Sequence, residues 1–190
     1  MLLTICVKEA KINIAKKIVP LIQDEMVILI GGGDIAIELV KQLPETLVAT
    51  FFTISPLVAV ELTKFQNLEV VLIGGLFSKD AKITFGGHVI NQITEIKADL
   101  CIVEANGLHP KNGLTDSELA ISQLKKAMLN AAQRSAILCY AERLNTSLKT
   151  RVAKLNEIDY LVTELDKSDK KLKAYQAAFL QKGQLTPVFI

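Results

Sequence analysis

Four loop segments and one helical lysine carry the residue types that hold small polar ligands. Gly31-Gly32-Gly33-Asp34 follows an apolar run and precedes a helical stripe. Its glycines let backbone N–H groups approach a ligand, and the helix behind them offers the positive end of its dipole, a combination that suits a phosphate. Asp34 competes for the same donors, because an acid at a helix start acts as its cap. Thr53 and Ser55 close a second apolar run; their hydroxyls either donate to ligand oxygens or, for Ser55, cap a helix starting at Pro56. Gly74-Gly75 is either a tight turn or a ligand contact. Glu104, Asn106 and Gly107 follow a fourth run, with His109, Lys111 and Asn112 beyond them, as binding groups on a rigid strand or as solvated turn residues. Lys125, on a later helical stripe, either reaches an anion or stands in solvent. Spacing assembles no Ser/His/Asp triad, Cys/His pair or carboxylate pair, and the glycine loop is neither GxGxxG nor a Walker loop.

These segments hang on a regular alternation. Over Lys8–Ile22, Ile14, Ile18, Leu21 and Ile22 form one helical face, with Lys11, Asn13, Lys16 and Lys17 elsewhere. Met26–Ile30 is a continuous apolar run, the mark of a strand buried on both faces. Ile35, Leu39, Val40 and Leu43 then repeat at helical spacing until Pro44. Strand-like runs recur at 47–53, 68–73, 99–103, 136–140, 160–163 and 187–190, and helical ones at 56–65, 117–132 and 167–180. Strands alternating with helices give an α/β fold, a mostly parallel Rossmann-like sheet of about six or seven strands flanked by helices. Residues 76–85 break the pattern and read as a flap over the sheet edge. No repeat, low-complexity stretch or linker divides the chain, so one domain is expected over residues 1–190.

Composition narrows the function. The chain has 190 residues, 50% hydrophobic and 22% charged, enough for a folded core. Its 22 basic and 20 acidic residues leave a net charge of +2, so no electrostatic footprint for nucleic acid or an acidic membrane stands out. Cys6, Cys101 and Cys139 lack CxxC spacing and read as small core hydrophobes of a reduced, cytoplasmic protein. Two histidines, His88 and His109, with no cysteine cluster beside them, make zinc improbable. No apolar run approaches the length of a membrane span or a signal peptide core.

Eight stretches in this order resemble the C-terminal effector-binding domain of DeoR-family transcriptional regulators, over roughly residues 8–165. They are KINIAKKIVPLI (11–22), residues 27–43, Thr53-Ile54-Ser55, VVLIGG (70–75), Phe85-Gly86, ANGLHPKNGLT (105–115), Lys125-Lys126-Ala127-Met128, and residues 158–163. The resemblance implies a fold similar to ribose-5-phosphate isomerase and a non-enzymatic sensor of a phosphorylated sugar. It also implies an oligomer that contacts DNA only through a helix-turn-helix domain absent from this chain. The effector pocket it implies comprises Gly31, Gly32, Gly33, Asp34, Thr53, Ser55, Gly74, Gly75, Glu104, Asn106, Gly107 and Lys125, with no cofactor and no metal.

The departures from the family pattern fall on that pocket. Gly31-Gly32-Gly33-Asp34-Ile35 stands where the family has Asp-Ser-Gly-Thr-Thr, and Thr53-Ile54-Ser55 replaces Thr-Asn-Ser. Glu104-Ala105-Asn106-Gly107 replaces Gly-Ala-Asp-Gly, Gln123 stands for an acid, and Ala141-Glu142-Arg143-Leu144 replaces Asp-x-Ser-Lys. The expectation is a retained scaffold with an altered or degenerate sugar-phosphate site, where Glu104 and Asp34 repel a phosphate and a neutral or cationic ligand, or none, is admitted. The rivals are a sugar-phosphate isomerase or deaminase on the same scaffold, and a vestigial oligomerisation module.

Overall fold

The computed structural model describes residues 2–180 and 188–189. The chain runs through α1 (Leu2–Ile18), β1 (Val27–Ile30), α2 (Asp34–Val40), β2 (Ala49–Thr53), α3 (Pro56–Leu62) and β3 (Leu68–Leu72). A hairpin, β4 (Leu76–Ser78) and β5 (Ile83–Phe85), leads to α4 (Gly87–Thr94) and β6 (Ala98–Glu104). Then come β7 (Gly107–His109), β8 (Gly113–Asp116), α5 (Leu119–Asn130), β9 (Ala132–Leu138) and β10 (Thr150–Ala153). The described elements close with β11 (Tyr160–Val162), α6 (Lys173–Leu180) and β12 (Val188–Phe189).

Seven strands form one sheet in the order β12-β11-β9-β6-β1-β2-β3, and every neighbouring pair is parallel. The apolar runs explain this, because a parallel strand covered by helices on both faces must be apolar at every position. Side chains alternate between two cores. Ile28, Ile30, Phe51, Leu100 and Ile102 pack with Ile14, Ile18, Ile35, Leu39, Val58 and Leu62 of α1, α2 and α3. Leu29, Cys101, Val103 and Ile137 face the other way, against Val89 and Ile93 of α4, Leu124 and Met128 of α5, and Tyr175 and Phe179 of α6.

The topology decides where loops gather. From β1 the chain steps outward through β2 to β3, then returns to lay β6 on the other side of β1. The connections after β1 and β6 therefore diverge, leaving a crevice at the carboxyl ends of those two strands, where open α/β sheets bind ligands.

Three features were not legible as elements. Residues 107–116 and 150–153 form a small antiparallel sheet in the order β10-β8-β7, and α4 occupies a stretch with no helical reading in the sequence. The flap at 76–85 is a paired hairpin, with Leu76 opposite Phe85 and Ser78 opposite Ile83. Cys101 lies in β6 and Cys139 just past β9; both are buried free thiols, raised far above the usual range by burial. Cys6 falls among residues whose side chains are outside the description. Among the described residues no helix is long and apolar enough to cross a membrane, and no three His, Cys, Asp or Glu side chains converge as a metal cluster.

Candidate functional site

The crevice between β1 and β6 opens into a cavity of about 160 Å³, walled by Gly31–Gly33, Val103, Glu104, Asn106, Lys125 and Met128 and roofed by Ala81 and Ile83 of the flap. At about 30 Å³ per liquid water, it holds the equivalent of about five waters, smaller than the roughly 300–1,000 Å³ of pockets that enclose drug-sized ligands. An open groove of about 620 Å³ lies at the other end of the sheet, against Ala98 and Ala132 at the amino ends of β6 and β9. We place the site in the smaller cavity, because the glycine loop, a shielded carboxylate and an amine converge there.

Each wall has a local cause. Gly31 donates its N–H to the Ile102 carbonyl at 2.8 Å, which extends β1 along β6 and carries Glu104 past the end of β1. A Cβ on Gly32 would meet Ile83 Cγ2 at 2.4 Å, so only glycine lets the flap lie this close. Gly33 has φ +128°, and a Cβ there would meet the Glu104 carboxylate at 2.1 Å. The flap is held by Thr84, whose N–H donates to the Ile54 carbonyl at 2.7 Å and whose single hydroxyl proton serves the Ile73 carbonyl at 2.6 Å, with the Ile54 carbonyl 3.1 Å from the same oxygen.

Glu104 governs the electrostatics. Its Oε1 accepts the Ala36 N–H at 2.8 Å, and the Ile35 N–H also bonds to the carboxylate. The carboxylate thus occupies the amino end of α2. Burial pushes its pKa up to about 7, and the nearby Asp34 adds to the rise, while the two N–H donors and Lys125 act the other way. This corrects the expectation for Asp34. The N-cap of α2 is Gly33, Asp34 is the first helical residue, and its half-exposed carboxylate points away from the helix donors. It accepts the Tyr140 hydroxyl at 2.9 Å and lies 3.7 Å from Lys11 Nζ. Burial and that bond to Asp34 raise the Tyr140 phenol well above its ordinary value.

Lys125 is partly enclosed rather than standing in solvent. Its Nζ donates to the Glu104 main-chain carbonyl and to Asp116 Oδ2, both at 2.8 Å. Asn106 Nδ2 donates to the same Asp116 oxygen at 2.9 Å, and Asp116 Oδ1 accepts the Ser117 N–H at 2.8 Å. The charge of Lys125 is therefore matched by an almost fully buried acid.

Of the pocket residues expected from sequence, Gly31, Gly32, Gly33, Glu104, Asn106 and Lys125 line the cavity together. Asp34, Thr53, Ser55, Gly74, Gly75 and Gly107 lie outside the cavity's lining. Ser55 caps α3 by accepting the Val58 N–H at 3.4 Å, and Thr53 Oγ1 accepts the Ser55 N–H at 3.1 Å, both fully enclosed. Gly75 packs where a Cβ would meet Val89 at 2.2 Å, Gly74 faces open space, and Gly107 sits against Thr115 at the start of β7. Sequence reasoning missed Asp116, Ala81 and Ile83. An acid directly before the Ser117 helix start was a legible cap signal for Asp116, whereas the roofing pair is set only by how the hairpin folds back.

Residues 7–165 match the family described as the DeoR C terminal sensor domain. The chain belongs to that family. Over 90% of its length this sensor domain is 28% identical to the HTH-type transcriptional regulator GolR of Listeria innocua, and over 81% it is 24% identical to the L-fucose operon activator of Escherichia coli K12. It spans 68% and 63% of those relatives. In fold it is similar to ribose 5-phosphate isomerase A of Methanocaldococcus jannaschii, with a TM-score of 0.51 at 18% identity over 72% of this chain and 54% of that one. It is also similar to translation initiation factor eIF-2B of Pyrococcus horikoshii OT3, with a TM-score of 0.58 at 16% identity over 83% of this chain and 63% of that one.

Proposed function

We propose that this sensor domain binds a small hydroxylated metabolite of the sugar class in the β1/β6 cavity and reports its presence to a DNA-binding part of the same regulator, without turning it over. Ligand binding acts as a population shift, favouring whichever arrangement binds the metabolite more tightly. The domain works in the cytoplasm and as a homo-oligomer in this reading. Its support is the curated relatives, which are transcription regulators, one named for an L-fucose operon. The observation that sets the ligand class is the Glu104 carboxylate bonded to Ala36 N–H at 2.8 Å. It holds the donors a phosphate would need, and Asp34 adds a second negative charge beside it. A phosphate entering here meets Coulomb repulsion inside a poorly solvated site, so the effector lacks a phosphate at this end.

The test is a set of thermal melts against free sugars, their phosphates and inorganic phosphate. A free sugar at 100 times its dissociation constant adds about 2.7 kcal/mol, a rise of roughly 5–10 °C for a domain of this size. Sugar phosphates leave the wild type unmoved and stabilise Glu104→Gly, whereas Asp34→Ser gains no phosphate response because Asp34 does not hold the α2 donors. A sugar phosphate that stabilises the wild type as well as the free sugar does would refute the ligand class. One observation favours the enzymatic rival: a carboxyl near 7 in a cavity is what a general base requires. Turnover of ribose-5-phosphate or glucosamine-6-phosphate that vanishes in Glu104→Gln would establish it.

A further inference from the structure

We infer that the free edge of β3 is where a second copy of this chain docks, the two β3 strands pairing antiparallel about a twofold axis at Val70. The sheet order leaves β3 at the edge, and among the described residues no strand pairs with its outer side. Ile73 donates its N–H to the Thr53 carbonyl at 2.8 Å. Main-chain groups alternate along a strand, so Glu69 and Val71 also face β2, while Leu68, Val70 and Leu72 aim their N–H and C=O groups outward.

Those three residues are symmetric about Val70. Antiparallel self-pairing there makes Val70 opposite Val70 and Leu68 opposite Leu72 hydrogen-bonded pairs, all with apolar partners. Glu69 falls opposite Val71, so no acid meets an acid across the axis. Its carboxylate already accepts the Thr50 hydroxyl at 3.1 Å. The strand Leu68-Glu69-Val70-Val71-Leu72 has no lysine, proline or bulge to keep it from pairing, and its one charge, Glu69, is set opposite Val71 in this register.

The flanks fit the same occupant. Leu72 is 44% exposed, and Leu57 and Val60 (64%) of α3, which packs on β3, are bare. Leu76 (68%) and Phe77 stand exposed on the hairpin that follows β3. Glu61, the one charged residue of α3, is paired with Lys64 just past the helix, the Lys64 Nζ lying 2.6 Å away. Self-complementarity selects a second copy over an unrelated chain, because a twofold contact uses one patch twice and closes. This inference does not depend on the effector reading, and its test contains no ligand.

The test uses the full chain in a Cys6→Ser background, with light scattering after gel filtration. The expected mass is that of a dimer, and Leu72→Lys shifts it to a monomer with its circular dichroism and melting cooperativity intact. Glu69→Cys copies mixed and exchanged with Val71→Cys copies form a disulfide-linked dimer on oxidation, while each variant alone does not, since opposed non-hydrogen-bonded residues have Cα atoms about 4.5 Å apart. A wild type that stays monomeric up to about 100 µM would overturn the proposal, as would a dimer that survives Leu72→Lys without the mixed cross-link. Loss of the dimer in Leu72→Lys with no cross-link would overturn the twofold register.

Discussion

Glu104 is the residue at which this domain departs furthest from an anion receptor. A carboxyl raised from 4.5 in the unfolded chain to about 7 in the fold binds its proton more tightly when folded. The native state therefore carries the extra proton between those two values, and stability falls as pH rises through that window and levels off above it. The upper bound on the loss is about 3 kcal/mol. Urea midpoints measured from about pH 4 to about 8.5 should show the wild type weakening relative to Glu104→Gln across the window, then a constant gap above about pH 8; a gap that does not move with pH would show that the carboxyl titrates normally. The neighbouring Asp116–Lys125 pair gives a second prediction. Removing one member of a buried, hydrogen-bonded pair costs about 3–5 kcal/mol, because the other charge is left without its counterpart. Asp116→Ala should lose about that much in chemical denaturation, and adding Lys125→Met should recover part of it; simple additivity of the two changes would show that they do not interact.

At the scale of elements, glycine placement separates structural positions from replaceable ones. Gly113 opens β8 at φ +76°, and a Cβ there would lie 2.1 Å from the Ala153 carbonyl oxygen on β10. Gly87 begins α4 with nothing near its absent Cβ. Gly113→Ala should cost at least about 2 kcal/mol, and Gly87→Ala should be neutral or stabilising by up to about 1 kcal/mol; equal melting shifts for the two would contradict this account. The elements that the sequence disclosed are those with a single long signal, such as the continuous apolar run of β1 or the Ile14 and Ile18 stripe of α1. The small sheet of β7, β8 and β10 escaped because its strands are three or four residues long and rich in glycine and polar groups. Helix α4 escaped because it starts behind Gly86 and buries only Val89 and Ile93 along its length. Half of the candidate pocket was legible for a related reason. The glycine loop, Glu104 and Asn106 follow strands that the apolar pattern locates, and Lys125 sits on the helical stripe of α5. That Glu104 rather than Asp34 seats itself on α2 depends on β6 overrunning β1, a consequence of sheet register that no local pattern encodes.

Across the whole molecule, the hairpin β4–β5 joins two surfaces. Ile83 and Ala81 roof the effector cavity, while Leu76 and Phe77 of the same hairpin stand exposed beside the edge proposed for pairing. Thr84 ties this hairpin to the ends of β2 and β3 through the Ile54 and Ile73 carbonyls, so a ligand that shifts Ile83 also loads the carboxyl end of β3. Coupling of this kind is reciprocal: with one site on each protomer, saturating effector changes the dimer constant by the square of the factor by which dimerisation changes effector affinity. Coupling free energies of this type run from about 1 to 3 kcal/mol, or roughly 5- to 150-fold. Titration calorimetry with the stabilising sugar should therefore give affinities at least about fivefold apart for the wild-type dimer and the Leu72→Lys monomer. Sedimentation with and without saturating sugar should return the square of that ratio in the dimer constant, since each dimer carries two sites, and Thr84→Val, which removes the hydroxyl bond to the Ile73 carbonyl while keeping the main-chain bond to Ile54 and the side-chain shape, should bring both ratios toward one. Equal affinities in dimer and monomer would mean that the hairpin roofs the cavity without transmitting its state, and any signal would have to leave the cavity through α5, by way of Lys125 and Asp116.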